Sequence, residues 1–174
     1  VDIRVTTAGG TSATSAADQY TYVSAPTVTS VSPTAGPTGG GTTVIITGTG
    51  FAYANGTGAV KFGATNATYT INSNTQITAT SPANPAGTYD ITVTTPGGTS
   101  VTSAADQYTY VSAPTVTSVS TTAGPTGGGT TVTISGTGFA AANPTGAVRF
   151  GAANATYTIN SNTQITATSP ANSA

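Results

Sequence analysis

All the formal charge of this chain sits on seven side chains: Asp2, Asp18, Asp90 and Asp106, with Arg4, Lys61 and Arg149. There is no His, Cys, Glu, Met or Trp among the 174 residues. Hydrolysis or group transfer needs a positioned base, an activated nucleophile or a metal. Ser and Thr are plentiful, but no imidazole is present to activate them. The Asp residues recur singly, so neither a carboxylate pair nor a metal-ligand cluster can be assembled from neighbours in sequence. A calcium loop requires about six or more oxygens, largely from closely spaced acids, and none are so spaced. These residue types assign no catalytic, cofactor-binding or metal-binding position, and the chain reads as a non-enzyme that needs no cofactor.

The remaining chemical candidates have plainer readings. Asp18 and Asp106 lie in a repeated Ser-Ala-Ala-Asp-Gln-Tyr string, where Asp forms a turn or opens a strand. Gly36-Pro-Thr-Gly-Gly-Gly41 looks like a phosphate loop, but no Lys-Ser/Thr follows and no helix opens after it; a sheet-crossing turn is expected. Lys61 suggests an internal isopeptide bond, yet the equivalent position holds Arg149, which cannot form one, so a solvated outward side chain is expected. Asn55, Asn66 and Asn154 each open an Asn-X-Thr pattern, the acceptor for N-linked sugar. Tyr20 with Tyr22, and Tyr108 with Tyr110, place two aromatics on one strand face for core or inter-domain packing, with stacking on a surface glycan as the alternative.

Composition narrows the partners. Charged residues make up 4% of the chain, against roughly 25% in an ordinary globular domain. Three cations cannot build the basic surface that nucleic acid requires, nor the Lys/Arg-rich face of a helix lying on an anionic membrane. No apolar run approaches the roughly 18 residues of a spanning helix, so direct membrane insertion is not expected. The 36% of residues that are hydrophobic fall in short Val, Ile, Tyr and Phe runs, which are strand formers. A folded β protein follows, without disulfides. An export signal, if one is used, would lie outside this segment.

Self-comparison shows how these runs are organised. Ser15 to Val23 returns as Ser103 to Val111, a shift of 88 residues, and Gly36 to Gly41 returns at the same shift as Gly124 to Gly129. Residues 24–86 and 112–174 differ at 8 of 63 positions. The chain is therefore expected to comprise the final strands of one repeat (1–23), one complete repeat (24–111) and the opening strands of another (112–174). Head and tail together fall two residues short of a whole unit, and the pattern of Gly87-Thr88 supplies the missing pair as a Gly-Thr after Ala174.

Within the complete unit, strands are expected near 26–32, 42–47, 58–63, 67–71, 75–80, 88–95 and 100–110, separated by Gly-, Pro- and Asn-rich turns. Short strands at this spacing indicate a sandwich or barrel. Alternation puts Val44, Ile46, Val60, Phe62, Tyr69, Ile71, Ile77, Ala79, Tyr89, Ile91 and Val93 inside. It puts Lys61, Ile45, Asp90 and Thr92 outside.

Pro26-Thr-Val-Thr-Ser-Val-Ser-Pro33, then Gly36 to Val44, then Ile46-Thr-Gly-Thr-Gly-Phe51, resemble the IPT/TIG family. So do Val60-Lys-Phe-Gly63, Ile77 to Pro82 and Gly87 to Gly98. The resemblance covers nearly the whole chain. It implies tandem immunoglobulin-like, E-set-like β-sandwiches, a fold shared by plexins, Rel-type transcription factors and many bacterial surface proteins. Rel-type domains carry basic DNA-contacting loops and plexin-type domains sit among disulfide modules, and neither feature is present. The likeness is to the low-charge, Thr-rich bacterial branch, found as arrays in secreted or cell-surface proteins.

The junctions Val23-Ser24-Ala25-Pro26 and Val111-Ser112-Ala113-Pro114 lead straight from last strand to first, with Pro limiting their freedom. A semi-rigid rod of repeats is expected, serving as an extracellular fibre or adhesin stalk whose partners are other copies of the repeat. A carbohydrate-binding or spacer module of a secreted glycan-active enzyme is the alternative. Two routes complete the split repeat. Either the chain is a window in a longer covalent array, or residues 1–23 of one chain add their strands to residues 112–174 of the next.

Overall fold

The computed structural model describes residues 1–141 and 147–172. The chain divides into two compact units, Val1–Val111 and Ser112–Ala174. The Gly-Thr join expected beside Ala174 falls outside the described residues.

The first unit opens with a small hairpin, β1 (Thr6–Thr7) and β2 (Gly10–Thr11), followed by a 3-10 turn at Ala16–Asp18. Ten strands then build the complete repeat: β3 (Thr27–Ser32), β4 (Ala35–Pro37), β5 (Thr43–Thr49), β6 (Val60–Phe62), β7 (Thr65–Asn66), β8 (Thr68–Ser73), β9 (Gln76–Thr80), β10 (Gly87–Thr95), β11 (Gly98–Thr99) and β12 (Gln107–Val111). One sheet runs β3-β5-β9-β8 and is antiparallel throughout. The facing sheet runs β4-β12-β10-β6-β7, with β11 folding back on β10 and β4 joining β12 in parallel. This is the all-β, immunoglobulin-like sandwich that the resemblance implies.

Alternation drives the packing, because period-two residues of each strand share a face. Val44 and Ile46 of β5, Ile77 of β9, Val60 and Phe62 of β6, and Ile91 and Val93 of β10 are fully buried between the sheets. Tyr69, Ile71 and Tyr89 are half-buried against them. Lys61 lies half-buried on the outer face, between Thr92 and Asn66 of the adjacent strands. Ile45, expected outside, is half-buried.

Two expectations need correction. The strand expected over 100–110 is broken: after β11 the chain makes a 3-10 turn at Ala104–Asp106 before entering β12. Ser103 and Asp106 cap that turn reciprocally, and a capped turn satisfies its own backbone groups locally, so no strand partner is needed. The turn expected over Gly36 to Gly41 begins inside β4. Thr109, Tyr110 and Val111 pair in parallel with Ala35, Gly36 and Pro37, an association distant in sequence that local turn chemistry does not report.

The second unit repeats the first sheet. Its strands are β13 (Thr115–Val119), β14 (Thr131–Thr137), β15 (Arg149–Phe150), β16 (Ala153–Asn154), β17 (Thr156–Ser161) and β18 (Gln164–Thr168). The sheet order is β13-β14-β18-β17. Val132 and Ile134 pair with Ala167 and Ile165, as Val44 and Ile46 pair with Ala79 and Ile77. The β3/β5 bulge recurs between Val116 and Ser118. Of the facing sheet only the β15-β16 hairpin is present among the described residues of this unit.

Candidate functional site

Among the described residues, the one fully buried carboxyl is that of Asp106. The Ser103 amide donates to its Oδ2 at 2.8 Å, and the Ser103 hydroxyl lies 3.3 Å from the same oxygen. Its Oδ1 and the hydroxyls of Tyr108 and Tyr110 have no hydrogen-bond partner. Burial pushes the Asp106 carboxyl up, against the lowering effect of the Ser103 amide, and the nearby Asp90 carboxyl raises it further. Burial also pushes the Tyr110 phenol up. The site is a strand-entry cap beneath an aromatic cluster. Phe62, Tyr89, Tyr108 and Tyr110 meet edge-to-face with ring centroids 5.0 to 6.4 Å apart, a favourable geometry for aromatic pairs. No group of three or more metal-type ligands occurs among the described residues. No helix among them is long and apolar enough to cross a membrane. Asn55, Asn66 and Asn154 are all exposed.

The junction residues differ in their surroundings. Val23 and Val111 are half-buried, while Ser24, Ala25, Ser112 and Ala113 are exposed. Pro26 is buried and Pro114 is exposed. The turn Pro96-Gly97-Gly98 closes over the first junction. A Cβ on Gly97 would run into the Val23 and Ser24 carbonyl oxygens, so only glycine lets that turn sit there.

Two apolar surfaces stand open. In the tail, Ile3 is 53%, Val5 63%, Tyr20 51% and Tyr22 79% exposed, whereas their equivalents Ile91, Val93, Tyr108 and Tyr110 are buried in the complete unit. In the second unit, Val116 and Val119 are 64% and 42% exposed, against 7% and 6% for Val28 and Val31. They line a groove of about 690 Å³ whose floor includes Val132, Ile134, Val148 and Phe150. A second recess of about 270 Å³, bounded by Thr121, Gly124, Phe150 and Ser169, adjoins it. The 88-residue spacing of the copies was legible in the sequence. Exposure of one copy and burial of the other are set by the strands packed against each, and no residue type signals that. The Ser103–Asp106 cap was legible in principle, as Ser-X-X-Asp before an apolar strand.

The pattern of the IPT/TIG domain matches residues 26–110 and again 114–174. No curated protein sequence matches. Among solved structures, the full extracellular region of plexin A4 aligns with 84% of this chain at 23% identity, with a TM-score of 0.44. The γ-CGTase of Alkalophilic bacillus clarkii aligns with 62% at 27% identity and a TM-score of 0.43. SGBP-B from a xyloglucan utilization locus in Bacteroides uniformis aligns with 86% at 24% identity and a TM-score of 0.40. The chain spans 15% of the plexin and CGTase chains and 43% of SGBP-B. With the domain pattern matched twice in tandem and a sandwich built on the residues that carry it, the chain belongs to the IPT/TIG domain family.

Proposed function

We infer that the chain is a structural segment of an extracellular or cell-surface fibre or adhesin stalk, in which 88-residue units run head to tail as a semi-rigid filament. The observation that carries this reading is the packed junction. Pro26 is buried and the preceding carbonyls lie under the Pro96-Gly97-Gly98 turn, so the unit clasps the peptide that leads into it. A clasped junction limits the angles a repeat can adopt, in contrast to a Gly/Ser linker.

The surface supports the same reading. Its cross-strand Thr pairs, such as Thr27–Thr49, Thr88–Thr109 and Thr115–Thr137, join hydroxyl to hydroxyl at 2.7 to 2.9 Å. These neutral ladders replace the Lys-guarded edges and net charge that keep soluble monomers apart, and they suit close approach of neighbouring copies. The glycan-module alternative loses two of its stacking residues, because Tyr108 and Tyr110 are in the core.

Immunogold electron microscopy of the producing cells tests the assignment. Label spaced along extracellular fibres is expected. Label confined to the cell interior, or to a soluble glycan-degrading enzyme, would overturn it.

A further inference from the structure

We propose that Asn55 carries an N-linked glycan whose first sugar packs on the exposed ring of Tyr53. The proposal rests on the extracellular reading, because this sugar is added to surface loops of secreted proteins.

The structure separates the three Asn-X-Thr sequences. Asn66 lies in β7 opposite Lys61, and Asn154 lies in β16 opposite Arg149. Two residues before each of these stands an alanine, Ala64 or Ala152. Asn55 instead lies in the loop between the 3-10 turn Phe51–Tyr53 and β6, and the residue two before it is Tyr53. Ala54, between them, is buried, so the side chains on either side of it face solvent. Tyr53 is 49% exposed, and Asn55 and Thr57 are exposed with it.

These three residues, with Thr94 and Pro96, border a recess of about 320 Å³ whose lining carries no charge. The apolar C–H face of a sugar ring packs on an aromatic ring, and its hydroxyls bond to neutral amides and hydroxyls. The recess offers both. Its loop is also held in place. The Tyr69 hydroxyl and the Ala59 amide both donate to the Gly56 carbonyl, at 3.1 and 3.3 Å. The Ala52 amide donates to Asn74 Oδ1 at 3.1 Å. Gly56 itself takes φ 82°, which glycine adopts freely and proline cannot.

The sequence of the second copy supplies the contrast. Residues 24–86 and 112–174 differ at 8 of 63 positions, and two of the eight fall within Tyr53-Ala-Asn55-Gly-Thr57. Tyr53 is matched by Ala141 and Gly56 by Pro144. Asn143 and Thr145 are kept, but Asn-Pro-Thr is not an acceptor. The copy that cannot take the glycan therefore also lacks the aromatic. A tyrosine needed by the fold would stand in both copies; one that serves the sugar is needed only beside an acceptor.

The covalent step is a glycosyl transfer from a lipid-pyrophosphate sugar donor, brought with its transferase by the producing cell. The Asn55 Nδ2 bonds to the anomeric carbon of the sugar. The bond from that carbon to the pyrophosphate oxygen breaks, and the lipid pyrophosphate leaves with the electron pair. One Nδ2 proton passes to a base of the transferase.

Mass spectrometry of proteolytic peptides from the protein isolated from producing cells tests the site. A sugar mass is expected on the peptide containing Asn55, and none on the peptide containing Asn143. An unmodified Asn55 would overturn the proposal.

Thermal melts read the Tyr53 contact. Asn55→Gln is compared with sugar-bearing wild type, and Tyr53→Ala/Asn55→Gln with sugar-bearing Tyr53→Ala. Tyr53→Ala installs the residue that the second copy carries at Ala141, so the fold should tolerate it. Loss of the sugar is expected to lower the Tm of the complete unit by about 4 °C where Tyr53 is present, and by much less in Tyr53→Ala. Tyr53→Phe should keep the full effect. An equal shift with and without the aromatic would overturn the packing of sugar on ring. Gold-labelled fibres on cells whose Asn55 is unmodified would overturn the glycan alone and leave the fibre reading in place.

Discussion

Folding raises the proton affinity of Asp106. Its carboxyl is raised by burial and by Asp90 despite the Ser103 amide. A folded-state value above the unfolded one means that the native state holds the proton more tightly. That contribution to stability is fully present below the unfolded value, about 3.9 for Asp, and is lost as pH rises through the raised folded value. Thermal melts between pH 3 and pH 8 should show the complete unit losing stability across that rise. Asp106→Asn should flatten that part of the profile, and an unchanged slope in the variant would mean that another group is responsible. The capping role of Asp106 was readable from Ser-X-X-Asp; its burial was not, because a fully buried acid is uncommon and nothing local marks it.

At the scale of elements, the difference between the two units is a difference in what covers β6 and its copy β15. Phe62 is fully buried between the sheets, while Phe150 is half-exposed beside the groove. Truncating a buried Phe to Ala removes transfer energy and leaves a cavity, a loss of about 3–5 kcal/mol. Phe62→Ala should reach that range in urea denaturation followed by tyrosine fluorescence, and Phe150→Ala should cost well under half as much. Comparable losses at both sites would mean that Phe150 is covered. Strand positions for β3, β5, β6, β8, β9 and β10 were legible because each carries period-two apolar residues bounded by Gly, Pro or Asn. The short β4 was not legible. Its Ala-Gly-Pro sequence has no strand character, and only pairing with β12 makes it one.

Across the whole molecule, the proposed fibre depends on the junction that leads into the complete unit. A Cβ on Gly97 would strike the Val23 and Ser24 carbonyl oxygens, so Gly97→Ala should push the turn off the junction peptide. Limited proteolysis reads the effect: faster cleavage near residues 23–26 than in wild type is expected, and equal rates would mean that the turn does not hold the junction.

The residues alone determine the repeat length, the sandwich class and the inward faces. Each of these follows from near-identity at a fixed shift and from alternation along a strand, both local properties of the chain. They also determine that little acid–base or metal chemistry is available, since the side chains for it are scarce or missing. Tertiary structure decides which of two near-identical segments is core and which is surface. Tyr20 and Tyr108 share the same flanking residues from Ser15 and Ser103 onward, yet one is half-exposed and the other buried. Burial belongs to the strands packed against a residue, and those strands are brought there by pairings distant in sequence.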